Sequence, residues 1–252
     1  MTLSFIGSGN VATHLARALH AAGHDVAQVL SREFDHAERL ARQVGAQPID
    51  KAALLRPDAQ AYILAVSDDA LYDLALDLRL RDALVLHTSG CVPMKVLEPI
   101  SRRHGVAWSP QTFVRDVEMR HDELPFCIEG STPQTLQEME TLLASVSPNI
   151  YRMDSAQRQW MHLAAVLVSN FGNAINALAQ QMLQQRNLPF EALVPLLHTT
   201  ADKAAHGDLW SLQTGPASRH DQRTIDRHRQ MLLEEPRLKE LYELFTHIIQ
   251  ER

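Results

Sequence analysis

The first 23 residues, MTLSFIGSGNVATHLARALHAAG, constrain the fold more than any other stretch of the chain. A short apolar run, TLSFIG, reaches two glycines spaced two apart. VATHLARALHAAG then carries apolar residues at helical spacing and stops at Gly23. A strand passing through such a turn into a helix presents unpaired backbone N–H groups, at the positive end of the helix dipole, to any anion. In a dinucleotide cradle of this kind Gly7 permits the sharp turn and Gly9 lets a pyrophosphate approach the backbone. Ala12, in the third position, keeps helix close to strand, and Ser8, Asn10 and Val11 complete the loop. The alternative is a glycine turn without a nucleotide, and only context separates the two.

The context is a repeat of the same alternation. DVAQVLS reads as a second strand and HAERLARQVG as a helix closed by Gly45. AYILAVS (61–67), ALVLHTS (83–89) and VAWSP (106–110) are apolar runs of the length expected for strands buried on both faces. PFCIEG adds a later strand, and TPQTLQEMETLLASV a helix with Ser131 or Thr132 as its cap. Beyond about residue 152 the strand signal ends. Residues 155–185 read as one long helix, 189–205 as another and 221–251 as two more separated near Pro236, with a structured loop at 206–221. The pattern predicts an α/β fold: a Rossmann-type, doubly wound, mainly parallel sheet over 1–152, followed by an all-helical domain over 153–252.

Composition removes several function classes. A net charge of −6 with no block of basic residues argues against nucleic acid or an anionic membrane as the main partner. The apolar segment 161–179 holds three asparagines and a histidine, which would be costly in lipid, so it reads as a helix buried in protein. Cys91 and Cys127 lie far apart and form no CxxC pair, which fits a reducing cytoplasm rather than a disulfide framework or a thiolate zinc site. The first residues have no basic n-region, so no secretory signal is expected, and the HDEL at 121–124 is internal. Thirteen histidines occur without an HExxH or a compact carboxylate–histidine spacing, so no metal is expected.

At the end of the second strand an NAD enzyme usually holds the ribose hydroxyls with an acid. This chain has VLSRE there, and the hydroxyl of Ser31 with the guanidinium of Arg32 suits a 2′-phosphate that a carboxylate would repel. NADP(H) is therefore expected over NAD(H), with the nearby Glu33 the one feature pulling the other way. Arg32 capping a solvated turn is the bland reading. The next strand ends, AVSDDA and LHTSG, should line the cofactor crevice through Val66, Ser67 and Thr88, with Asp68 or Asp69 capping the following helix. Ser89 and Gly90 form a hydroxyl-bearing turn suited to a substrate carboxylate or carbonyl, and Gln111 stands at another strand end.

IGSGNVA, VSDDA, HTSG, SPQTF, HLAAVLVSN and TGPASRHD occur in this order over essentially the whole chain. In them the chain resembles the family that joins a Rossmann-like N-terminal domain to a C-terminal domain of unknown function, number 2520. Related sequences usually read HPLQTF where this one has SPQTF, so Ser109 stands in place of a histidine. More distantly the architecture is similar to ketopantoate reductases, 3-hydroxyacid dehydrogenases, pyrroline-5-carboxylate reductases and deazaflavin-dependent NADP oxidoreductases, with a helical half of the 6-phosphogluconate dehydrogenase type. The resemblance implies hydride transfer between a nicotinamide and a C=O or C=N bond, in a cleft between the domains. It also implies a homodimer formed through the helical half.

Carbonyl reduction needs a proton donor near the oxygen and further donors for the substrate's anionic end. The hydroxyacid dehydrogenase relatives use a lysine on the first long helix of the C-terminal domain, followed by an asparagine. Here His162 stands where that lysine is expected, with Asn170 eight and Asn173 eleven residues on. At about 100° per residue these spacings return to nearly one helix face. The alternative is that all three are hydrogen-bonded core residues. In TGPASRHD, Arg219 suits bidentate pairing with a carboxylate, with Thr214 and Gly215 offering donors beside it; pairing of Arg219 with Asp221 is the plainer reading. The expected activity is reduction of a small anionic substrate, a 2-oxo acid of the ketopantoate type. A dinucleotide-binding sensor without turnover is the alternative.

Overall fold

The computed structural model describes residues 1–252. Eight strands form one sheet: β1 (Thr2–Ile6), β2 (Asp25–Leu30), β3 (Gln47–Ile49), β4 (Ala61–Leu64), β5 (Arg81–His87), β6 (Ser101–Trp108), β7 (Phe126–Gly130) and β8 (Ile150–Arg152). Their spatial order is 3-2-1-4-5-6-7-8. Strands 3 to 6 of that row through β1 are parallel, β7 runs antiparallel to β6, and β8 is parallel to β7. The order reverses between β1 and β4, which opens a crevice outside the carboxyl ends of those strands.

Period-two alternation explains why helices cover both faces. Leu3, Phe5, Ala61, Ile63, Leu84 and Leu86 pack into one buried cluster, while Ile6, Tyr62, Leu64 and Val85 pack into another. The first cluster takes its outer layer from α1 (Asn10–Ala21), α2 (Phe34–Val44) and α4 (Pro133–Ala144); the second takes Leu71 and Ala75 from α3 (Asp68–Asp77). Thr132 caps α4 by accepting from the Thr135 amide. The N-cap of α3 is Ser67, not an aspartate; Asp68 and Asp69 occupy the first turn, where negative charge favours the helix dipole.

By its internal contacts the chain divides into two compact units, Met1–Asn170 and Phe171–Arg252. The helix α5 (Ser155–Ala165) thus belongs with the sheet. An Asp154–Gln157 capping box starts it, and two reciprocal bonds of 2.8 and 2.9 Å satisfy its first free amides. Residues 155–184 do not form a uniform helix, because α5 passes through a π-helical turn, Val166–Phe171, into α6 (Gly172–Gln184). An i→i+5 turn advances less than 100° per residue, so the one-face arithmetic for Asn170 and Asn173 does not carry through it.

The second unit is helical: α6, α7 (Val194–Ala204), α8 (Gln222–Met231) and α9 (Pro236–Gln250). Asp221 caps α8, accepting from the Thr224 amide and hydroxyl. No helix of the chain is long and apolar enough to cross a membrane.

Candidate active site

A groove of about 860 Å³ lies at the carboxyl ends of the parallel strands, entirely within the sheet-bearing unit. Gly7, Ser8, Gly9, Asn10 and Val11 line it from the first turn, Ser31 and Arg32 from the end of β2, Val66 and Ser67 from the end of β4, and Thr88, Ser89 and Gly90 from the end of β5. Backbone bonds tie these ends together. The Gly7 amide donates to the Leu30 carbonyl at 2.8 Å, Ala65 to Ile6 at 2.8 Å and Ser31 to Ile49 at 3.1 Å.

The turn is built for an anion. Gly7 has φ +110°, and a Cβ there would fall 2.1 Å from the Ala65 carbonyl oxygen, so only glycine fits. Over Gly9 nothing lies within 4 Å. No side chain caps α1, and its first turn holds no acid, which leaves its amides available to a phosphate. A dinucleotide pyrophosphate fits this cradle. At the β2 end Glu33 turns away to His36, 3.6 Å distant, while Arg32 is exposed and joins no ion pair. Asp50, following β3, brings a carboxylate to the groove lining that sequence reasoning missed along with its strand.

The segment after β6 closes one side of the cradle. Asn10 Nδ2 donates to the Phe113 carbonyl at 2.9 Å, and Arg115 donates to the Ser8 carbonyl at 3.1 Å. His14, buried on α1, contacts the Val114 carbonyl at 2.8 Å. Gln111 and Phe113 reach the groove from this segment, whereas Ser109 is buried with its hydroxyl unpaired.

His162 enters the same groove from α5. Its ring lies 5.6 Å from that of Trp108, tilted by 52°, and its Nδ1 stands 3.3 Å from Cys91 Sγ. Gly90 makes room for it: a Cβ there would fall 2.4 Å from His162 Cδ2 and 2.9 Å from Trp108 Cε2. The loop 89–92 is gripped from both ends. Ser89 Oγ accepts the amides of Cys91 and Val92, while Gln159 donates to the Cys91 carbonyl and Arg158 to the Val92 carbonyl. Arg158 is fully buried and pairs with Glu129 of β7 at 2.5 Å; Ser155 donates to the same carboxylate at 2.7 Å. Neither Arg158 nor Cys91 figured among the sequence candidates.

The other candidates stand elsewhere. Asn170 is exposed in the π turn and is not among the groove-lining residues. Asn173, Thr214, Gly215 and Arg219 belong to the helical unit. Arg219 is exposed and makes no ion pair, and the carboxylate of Asp221, the expected partner, is committed to capping α8. Gly215 takes φ +111° in a loop closed by bonds from Arg219 to Gly215 and from Asp221 to Pro216.

Titration at the site follows burial and charge. Burial, then the carboxylate of Asp68, push the Cys91 thiol above its ordinary range, with Arg158 opposing. His87, at the end of β5, accepts the Ser89 amide at 3.2 Å; burial and then the charge of Arg158 lower it to about 3, so it is neutral.

Comparison with known proteins bears on the family and the fold. The model of the domain of unknown function DUF2520 matches residues 124–249, half of the chain, and the model described as "NADP oxidoreductase coenzyme F420-dependent" matches residues 2–89. A Bacteroides fragilis protein provisionally described as an NADP oxidoreductase is 37% identical, with a TM-score of 0.91 over 100% of this chain and 98% of its own. A Thermotoga maritima protein is 23% identical, with a TM-score of 0.77 over 99% and 97%. An imine reductase from Myxococcus stipitatus, solved with NADP+, is 14% identical, with a TM-score of 0.71 over 100% and 93%. The last two likenesses are of fold alone. No curated protein matches. The chain belongs to the DUF2520 family, in which its helical half follows a nucleotide-binding half of the NADP oxidoreductase type.

Proposed function

We infer that the chain is an NADP-dependent oxidoreductase that reduces a small anionic carbonyl compound, a 2-oxo acid of the ketopantoate type, with His162 as proton donor. The observation that carries this reading is that His162 and the glycine cradle line one groove. NADPH, when bound, supplies the hydride. The amides of Gly9 and the first turn of α1 hold the pyrophosphate, and Arg32 with Ser31 holds the 2′-phosphate. Gly90 and the Trp108 ring fix the imidazole, whose Nε2 makes no bond within the protein and is left to protonate the substrate oxygen. Thr88 and Ser89 orient the carbonyl. Arg219 of the helical unit, with Thr214, Gly215 and Asn173 as further donors, is assigned carboxylate binding, supported by the guanidinium's freedom from any ion pair, and Asn170, the last residue of the sheet-bearing unit, is assigned a catalytic part.

The helical unit also suggests its own partner. Among its apolar side chains Phe171, Ile175, Val194, Leu196 and Phe245 are exposed, and only Ala217 and Ile225 are buried, so a second copy is inferred to cover them. Sedimentation resolves this: a monomer at micromolar concentration removes the homodimer.

The test of function is NADPH oxidation with ketopantoate, other 2-oxo acids and cyclic imines. Turnover of a 2-oxo acid that His162→Gln abolishes supports the reading. Turnover of imines alone shifts it to C=N reduction, and NADPH binding without oxidation across the panel favours the sensor.

A further inference from the structure

Cys91 and His162 lie 71 residues apart in sequence, and their side chains meet at the groove with Sγ 3.3 Å from Nδ1. The neighbourhood holds them there. Gln159 and Arg158, on the same helix as His162, bind the carbonyls of Cys91 and Val92, and Gly90 admits the imidazole against the backbone.

The pairing bears on a difficulty in the proton transfer. An imidazole titrates near 6.5 in water, so above neutrality a histidine donor is the neutral ring. A neutral imidazole that gives up its Nε2 proton alone would become an anion, which no group near neutrality supports. A second proton entering at Nδ1 removes the problem. A thiol is the group in contact with that nitrogen, and its ordinary range near 8.5 makes sulfur a far better seat for negative charge than an imidazole ring.

We propose that Cys91 acts through His162 as the proton source for reduction, a role that rests on the assignment of His162 as donor. With the hydride supplied by the reduced nicotinamide, the substrate oxygen takes the Nε2 proton: that N–H bond breaks and an O–H bond forms. The S–H bond of Cys91 breaks as the Nδ1–H bond forms, so the ring stays neutral and the charge rests on sulfur. Cys91 is exposed, and a solvent proton restores the thiol. The charged groups acting on the thiol are Asp68 at the start of α3, which holds its proton on, and Arg158 on α5, which stabilises the thiolate when it forms.

Two measurements test this. The first needs no substrate. Cys127 is buried, so iodoacetamide reads Cys91 selectively. Because Nδ1 accepts the thiol proton, His162→Gln is expected to lower alkylation at pH 7 at least about threefold and to move its pH midpoint upward. Superimposable profiles overturn the proposal. The second follows kcat against pH for whichever compound of the panel is reduced. Wild type holds its rate as pH rises above neutrality, while Cys91→Ser and Cys91→Ala lose rate progressively, by at least about tenfold over the same range, with KM for NADPH unchanged. Serine keeps a hydrogen bond to Nδ1 but is too weak an acid to give its proton, so a loss of shape or fold is not confused with a loss of proton supply. Parallel profiles for Cys91→Ser and wild type overturn the proposal while leaving His162 in place. Full turnover in His162→Gln instead removes the donor assignment itself, and with it the role of Cys91.

Discussion

Arg158 offers the sharpest test of how the site is held together, and Arg158→Met is the perturbation. The guanidinium is wholly buried, gives one nitrogen to Glu129 at 2.5 Å and another to the Val92 carbonyl at 2.8 Å, and stands four residues before His162 on α5. Methionine replaces the stem without the charge. It leaves the Glu129 carboxylate, 15% exposed, with only the Ser155 hydroxyl, and the Val92 carbonyl without that donor. Removing one partner of a buried ion pair costs about 3–5 kcal/mol, chiefly because the other charge is stranded. Urea unfolding followed by tryptophan fluorescence in a Trp210→Phe background reads the sheet-bearing unit, which holds Trp108 and Trp160. With a urea slope of about 2 kcal/mol per molar, the midpoint should drop by roughly 1.5–2.5 M. Glu129→Gln should cost a comparable amount. The double variant should cost about as much as either single change rather than their sum, because no lone charge remains buried. A single-variant loss below about 1 kcal/mol, or strict additivity, would falsify the claim that this pair anchors α5 to the loop carrying Cys91.

Other outcomes follow from the same geometry. Arg32→Ala should weaken NADPH at least about tenfold in fluorescence titration while leaving NADH little changed, and Asp50→Asn should act in the opposite direction; equal losses for both cofactors refute the 2′-phosphate assignment. Gly90→Ala pushes a methyl into His162 and Trp108, so kcat should fall at least about tenfold with the Kd for NADPH nearly unchanged. His87 is neutral when folded and takes a proton when unfolded below about pH 6.5, so it withdraws up to about 1.4 kcal/mol of stability per pH unit between about 6.5 and its folded value of about 3, and nothing above. His87→Asn, whose amide oxygen takes the place of Nδ1, should flatten that slope in urea titrations at pH 4.5 and 7; an unchanged slope refutes it.

The parts of the fold legible in sequence are those where burial is two-sided. AYIL and the LVLH end of β5 are continuous apolar runs because helices cover both faces. β3 and β8 are three residues each at opposite edges of the sheet, one containing Pro48 and the other mostly solvent-facing, so neither makes a run to recognise. The first half of β6 escaped for a similar reason: Arg102 and Arg103 interrupt the apolar pattern ahead of Val106. The nucleotide cradle was readable because its glycines answer to local backbone geometry. Arg158 was not, because an arginine in AQRQW looks like solvated surface until Glu129 and Val92 close over it. Cys91 enters the sequence reading only in setting aside a disulfide framework and a thiolate zinc site, and nothing local marks a contact made 71 residues away.

The uncapped start of α1 has a thermodynamic consequence. A side chain can satisfy the first amides of a helix, as it does in α4, α5 and α8 of this chain. The helix beneath the glycine turn lacks one, so the phosphate it receives serves as its missing cap, and folding and cofactor binding become linked equilibria. At a cofactor concentration a hundredfold above Kd the linkage is worth about 2.7 kcal/mol. The amount of folded chain in a cell would then follow the supply of reduced cofactor, with the protein's own turnover as the gauge.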